Sequence, residues 1–131
     1  MTRSQLREYA FKLLFRVEFH DPGDMPEQEE FFFDEEPAMS EKEFGEVKER
    51  VNRIFAELPQ IDESLNENIE GWDVTRIGKV ELAILRLAVF EIRFDEKIPT
   101  GVAINEAVEL AKKYGPTSSA SFINGILAKY A

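Results

Sequence analysis

The chain has 131 residues, 44% hydrophobic and 11% aromatic, which suits one domain with a sizeable core and excludes a disordered chain. It has no cysteine, which excludes a disulfide framework, thiolate metal sites and cysteine nucleophiles and fits a reducing cytosol. The formal charge is −10, yet residues 21–49 hold twelve acids against two lysines, so everything outside them sums to zero. The two ends are locally positive: four bases against two acids in residues 1–20, and three bases with no acid in 112–131. At physiological salt the Debye length is about 8 Å, so such patches can decide binding against the global sign. No signal peptide or membrane span is expected. Arg3, Arg7, Lys12 and Arg16 interrupt the N-terminal apolar residues, and the most apolar segment carries several charges. A cytoplasmic location is therefore expected.

Residues 4–19, SQLREYAFKLLFRVEF, read as a helix with Leu6, Ala10, Leu13, Leu14 and Val17 as its main stripe. Phe11, Phe15 and Phe19 make a second line, and Thr2 or Ser4 is the candidate cap. Arg3 shares a face with Arg7, and Lys12 with Arg16. That is either a solvated face or a cationic helix end presented to phosphates, and Arg7 is expected to be solvated. Residues 20–39 lose the pattern, with three prolines, a glycine and an acid run. They read as an acidic loop, with a helical turn at 27–33 and three phenylalanines lidding the core. His20, the only histidine, stands at the end of the first helix, where it favours the dipole.

Residues 40–58 read as an amphipathic helix opened by a Ser40–Glu43 capping box and stopped by Pro59. A shorter helix carries Ile61, Leu65 and Ile69, with Trp72 one turn on, and Asp73 is placed to cap a single turn. Residues 79–94, KVELAILRLAVFEIRF, are apolar around most of a helix, so other helices must wrap them. Lys79, Arg86 and Arg93 recur every seven residues as one basic line. They either bury their stems with heads in solvent or belong to an anionic-ligand surface. Glu81, in the first turn, suits the helix dipole. Thr100 is expected to cap a helix to Tyr114, ended by Gly115 and Pro116. A last helix starts at Thr117 or Ser118 and buries Phe122, Ile123, Ile126, Leu127 and Tyr130, with Gly125 at a close helix contact. No strand is convincing. The expected architecture is all-α, about seven helices in two small bundles sharing a common helix.

Chemistry-bearing motifs are missing. There is no glycine-rich phosphate loop, HExxH pair, Ser-His-Asp set or EF-hand loop. Neither a metal nor a cofactor is expected, and a binding role is the better reading than an enzyme.

REYAFKLLF (7–15), VELAILRLAVFEI (80–92), IPTGVAINEAVELAKKYG (98–115) and SFINGILAKY (121–130) together resemble the NusB family of transcription antitermination factors. The resemblance covers nearly all of the chain outside 20–60, and residues 98–125 carry its most specific part. It implies two three-helix bundles sharing the N-terminal helix, and residues 1–131 as one RNA-binding domain. It also implies binding of boxA RNA from ribosomal RNA leaders with the small-subunit ribosomal protein NusE, which helps RNA polymerase read through terminators. RNA would be met by Arg3, Arg7, Lys12, Phe15, Arg76, Lys79 and Phe122. Phe15 stands where the family usually has tyrosine, and Phe122 reads equally as a plain core residue. Single-stranded RNA is held in this way, by phosphate contacts and by bases stacked on exposed rings. The partner would be met by Glu81 and by Ser118, the latter at a place often acidic in relatives. Many relatives carry several consecutive arginines before the first helix, whereas this chain has Arg3 and Arg7, so RNA affinity is expected to depend on the partner. Some relatives dimerise and mask the RNA face, which leaves a homodimer of the free protein open. The competing readings are a helical adaptor docking through its acidic segment and the accessory domain of an RNA methyltransferase.

Overall fold

Seven α-helices form among the described residues, with no strand. The computed structural model describes residues 1–20, 22–69, 71 and 73–131; Trp72, expected one turn beyond Ile69, lies outside them, as does Asp21, the first acid of the acidic segment. Its helices fall into two compact units, residues 1–55 and 56–131. No helix is long and apolar enough to cross a membrane, among the described residues.

In the first unit, α1 (Arg3–Val17) starts from a reciprocal box. The Gln5 backbone N–H donates to Thr2 Oγ1 at 3.0 Å, and the Thr2 N–H donates to Gln5 Oε1 at 2.8 Å. Ala10, Phe11, Leu13 and Leu14 are its buried stripe. Residues expected to form a loop instead hold a ten-residue helix, α2 (Met25–Asp34), preceded by a short 3-10 turn at 22–24. Pro26 does not oppose it, because a proline in the first turn removes no intrahelical bond. Packing decides the rest. Phe32 is 3% exposed and meets Tyr9 edge-on, while Phe33 stacks on Phe44 at 4.7 Å and 6°. Two of the three consecutive phenylalanines thus lid a core, and Phe31 faces solvent. The next helix, α3 (Glu41–Ala56), opens with the expected box: Ser40 N–H to Glu43 Oε1 at 3.0 Å and Glu43 N–H to Ser40 Oγ at 3.1 Å.

In the second unit, α4 (Leu58–Asn68) begins before Pro59 rather than after it. The chain breaks at Glu57, and Pro59 sits in the first turn of the new helix, where its missing N–H has no acceptor to lose. Asp73 accepts from Thr75 N–H at 2.9 Å and caps the 3-10 turn at 74–76. The rod α5 (Lys79–Phe94) buries nine residues from Leu82 to Glu91. Within this unit α4, α6 (Thr100–Tyr114) and α7 (Ser119–Leu127) all pack against it. Thr100 is the first helical residue of α6, not its cap, and Pro99 precedes it with extended backbone. The last turn of the chain, 128–130, is 3-10, and Tyr130 leaves the helix to bond Ser64 Oγ at 2.7 Å. Gly125 lies in the open with nothing within 4 Å of an added Cβ, contrary to the close contact expected there.

Candidate nucleic-acid interface

The sequence candidates divide between the two units, and each half is built differently. On α1, Arg3 is exposed at the first helical position. Arg7, expected to be solvated, is 6% exposed. Helical spacing puts Arg7 between Leu14 and Phe11, within the buried stripe, and a guanidinium tolerates this only with hydrogen-bonding partners. Its contribution is therefore internal. Lys12 is half-buried, with Nζ 3.1 Å from Glu36 Oε1 and 5.8 Å from the centre of the Tyr9 ring. Four residues on, Arg16 grips Glu35 with two bonds, Nη1 to Oε2 at 2.7 Å and Nη2 to Oε1 at 3.3 Å. Its Nε donates to Gln28 Oε1 at 2.9 Å. Phe15 is half-buried, its ring 6.2 Å from Phe11 and 5.1 Å from Phe19. The aromatic line grows more exposed along its length, from Phe11 at 2% to Phe19 at 56%. His20 is exposed three residues beyond α1, and with Val17, Glu18, Met25 and Phe55 it lines a cavity of 320 Å³.

In the second unit the candidates gather at the start of α5. Arg76 closes the 3-10 turn and Lys79 is the first residue of the helix, both exposed. Glu81, two residues on, is half-buried, and Ser119 donates its hydroxyl to Glu81 Oε1 at 2.5 Å. The other carboxylate oxygen stands over Gly78, where an added Cβ would lie 2.5 Å from Oε2. Glu81 therefore joins the first turn of α5 to the first turn of α7, a role beyond favouring the dipole. Ser119 is 2% exposed and was missed by sequence reasoning, because a serine opening a helix ordinarily reads as a cap. No side-chain cap forms at α7. The signal that could have found it is Gly115. A Cβ there would come within 2.7 Å of Ser119 Oγ, 2.8 Å of Ser119 Cβ and 2.9 Å of the Ala111 carbonyl oxygen. Glycine at this position admits the serine.

Ser118 is exposed beside this bond, and Phe122 is half-buried. Phe122 follows Ser119 by three residues, which puts it on the side of α7 that faces the start of α5. The Glu81–Ser119 bond thus joins the start of α5, with Arg76 and Lys79 on the chain just before Glu81, to the start of α7, with Ser118 and Phe122. The basic line expected along α5 does not survive as a line. Arg86 is held by Asp62 on α4 through Nε–Oδ1 at 3.0 Å and Nη2–Oδ2 at 2.9 Å. Arg93 lies over the Tyr130 ring, 5.1 Å from its centre. Among the described residues no group of three or more His, Asp or Glu side chains is arranged to hold a metal ion.

Comparison with known proteins identifies the family. The model of the NusB family matches residues 4–131. A transcription antitermination protein NusB from Agathobacter rectalis is 50% identical over 131 residues, covering all of both chains. One from Lachnoclostridium phytofermentans is 51% identical over 129 residues, 98% of each. Among solved structures, T. maritima NusB superposes with a TM-score of 0.83 at 32% identity, covering 100% of this chain and 91% of that one. A crystal structure of antitermination factors NusB and NusE in complex with dsRNA gives 0.80 at 26% identity, covering 99% and 97%. A family match over nearly the whole length, joined to half-identical relatives, is decisive: this chain belongs to the NusB family of transcription antitermination proteins.

Proposed function

We propose that the chain acts as one RNA-binding domain that binds boxA RNA of ribosomal RNA leaders together with NusE, and so promotes read-through by RNA polymerase. The observation that carries this reading is the corner at the start of α5. There the Glu81–Ser119 bond ties the start of α5, which carries the exposed cations Arg76 and Lys79 within five residues of Glu81, to the start of α7, which carries Phe122. Exposed cations suit phosphates, and a half-exposed ring suits an unstacked base. A carboxylate, Glu81, and the exposed Ser118 next to its bonded Ser119 suit a basic ribosomal protein. Support also comes from the fold shared with a NusB that has been crystallised with NusE and RNA.

On the first unit Arg3 and Lys12 of α1 also suit RNA phosphates, while Arg7 is buried and serves the fold. With few cations proposed to meet phosphates, affinity for RNA alone is low and the salt dependence shallow. The test is a gel shift of a single-stranded boxA RNA with the full chain, with and without NusE. A shift that strengthens with NusE is expected, and no shift in either lane rejects the reading.

A further inference from the structure

The carboxylates at the end of α2 stand where helix electrostatics disfavour them. Asp34 ends the helix, Glu35 is its C-cap, Glu36 follows, and no base occupies the last turn. Negative charge at a helix C-terminus opposes the dipole. What offsets it is α1: Glu35 takes the guanidinium of Arg16 in a two-bond fork, and Glu36 takes the ammonium of Lys12. Arg16 and Lys12 are four residues apart and so neighbours on one face of α1. The acids therefore present two carboxylates side by side to two cations, which is how two successive phosphates of an RNA strand would meet them. The fork lies at the solvent boundary, with the Glu35 side chain 62% exposed and that of Arg16 23%. An incoming strand can reach it, and an exposed pair of this kind is weak enough to exchange.

Resting on the RNA-binding reading above, we propose that Lys12 and Arg16 form a phosphodiester-binding pair on α1, and that Glu35 and Glu36 occupy it until RNA displaces them. Arg16 thereby joins the interface, and part of the acidic segment becomes an internal competitor for RNA.

The test compares the full-length protein, its Glu35→Gln/Glu36→Gln variant, and that variant with Lys12→Ala/Arg16→Ala added. Each is titrated against a single-stranded boxA RNA by fluorescence anisotropy from 50 to 200 mM KCl. Removing the competing carboxylates is expected to tighten binding about threefold to tenfold at low salt. It should also steepen the slope of log K against log salt by about one, because cations no longer neutralised internally release counterions from the RNA. The gain must vanish when Lys12 and Arg16 are also removed. Unchanged affinity and slope in the glutamine variant overturn the proposal while leaving the RNA reading intact. A gain that persists without the two cations also overturns it, since the acids would then act by general repulsion. If neither the native protein nor the glutamine variant binds, even with NusE, the RNA reading fails and the competitor with it. Independently of any variant, the Arg16 Nε–H resonance of the native protein should shift when RNA is added, and an unmoved resonance overturns the pair.

Discussion

Arg7 shows how far one side chain can depart from its pattern. Helical spacing places it with Arg3 on a cationic face, yet Arg3 is exposed and Arg7 is 6% exposed. At about 100° per residue both lie on the face of Ala10, Leu14 and Phe11, but Arg3 is the first residue of α1, at the helix end, while Arg7 lies one turn in where that face is covered. Arg7→Ala should therefore destabilise the fold by about 1–3 kcal/mol through the polar groups left without their partner, read as a lower urea midpoint at unchanged slope. An unmoved midpoint would return the residue to the surface. Gly115→Ala should lower the melting temperature by a cost of about 1–3 kcal/mol, because the new Cβ meets the Ala111 carbonyl oxygen and Ser119 at under 3 Å. Its φ of −97° imposes no strain of its own, so the cost is one of space. Combining it with Ser119→Ala should recover none of the contact with the carbonyl. At Glu81, glutamine keeps an acceptor for the Ser119 hydroxyl and removes the charge. Glu81→Gln should therefore retain native stability and weaken NusE binding, whereas Glu81→Ala should lose both. Equal NusE affinity for the glutamine variant would take the charge out of the interface.

Among the elements, α5 was legible end to end: a run that is apolar on nearly all sides can only be a wrapped helix, and Lys79–Phe94 is the result. The boxes at Thr2–Gln5 and Ser40–Glu43 were legible for the same reason, since their bonds lie within four residues. By contrast α2 was hidden. Its prolines and acids read as loop, and its stability comes from Phe32 and Phe33 meeting rings of α1 and α3, contacts that local spacing does not encode. Phe33→Ala should loosen this helix alone, seen as faster amide exchange across residues 25–34 while residues 79–94 keep their protection. The two-bond Arg86–Asp62 fork joins α4 to α5 with both side chains largely covered, at 12% and 24% exposure. Asp62→Ala should cost about 1–3 kcal/mol, and a double-mutant cycle with Arg86→Ala should return a coupling of the same sign. Additive single effects would show that the fork contributes nothing.

At the level of the whole chain, charge is the organising quantity. The carboxyls of Glu35, Glu43 and Asp73 lie below their ordinary values. The Arg16 hydrogen bond lowers Glu35, the Ser40 backbone and hydroxyl lower Glu43, and the Thr75 hydroxyl and backbone lower Asp73. A carboxyl with a depressed folded pKa binds its proton more weakly when folded. Its stabilising share is thus complete above the ordinary values of 4.5 and 3.8 and is lost as pH falls through the lower folded ones. These groups leave the urea midpoint unchanged between pH 7 and 5 and lower it below pH 4.5. Glu35→Gln/Glu43→Gln should shrink that acid-side fall, and an undiminished fall would assign it to other groups. The all-helical class, the family and the positive ends were written in periodicity, composition and run-level likeness, because each depends on residues near one another along the chain. Three other facts were decided only by folding: Arg7 points inward, Glu81 holds Ser119, and Glu35 and Glu36 sit on Arg16 and Lys12. Each of the two bonded sets joins residues between 19 and 38 positions apart. Whether a charge is free for a ligand depends on which distant group reaches it first, and linear spacing carries no such distance.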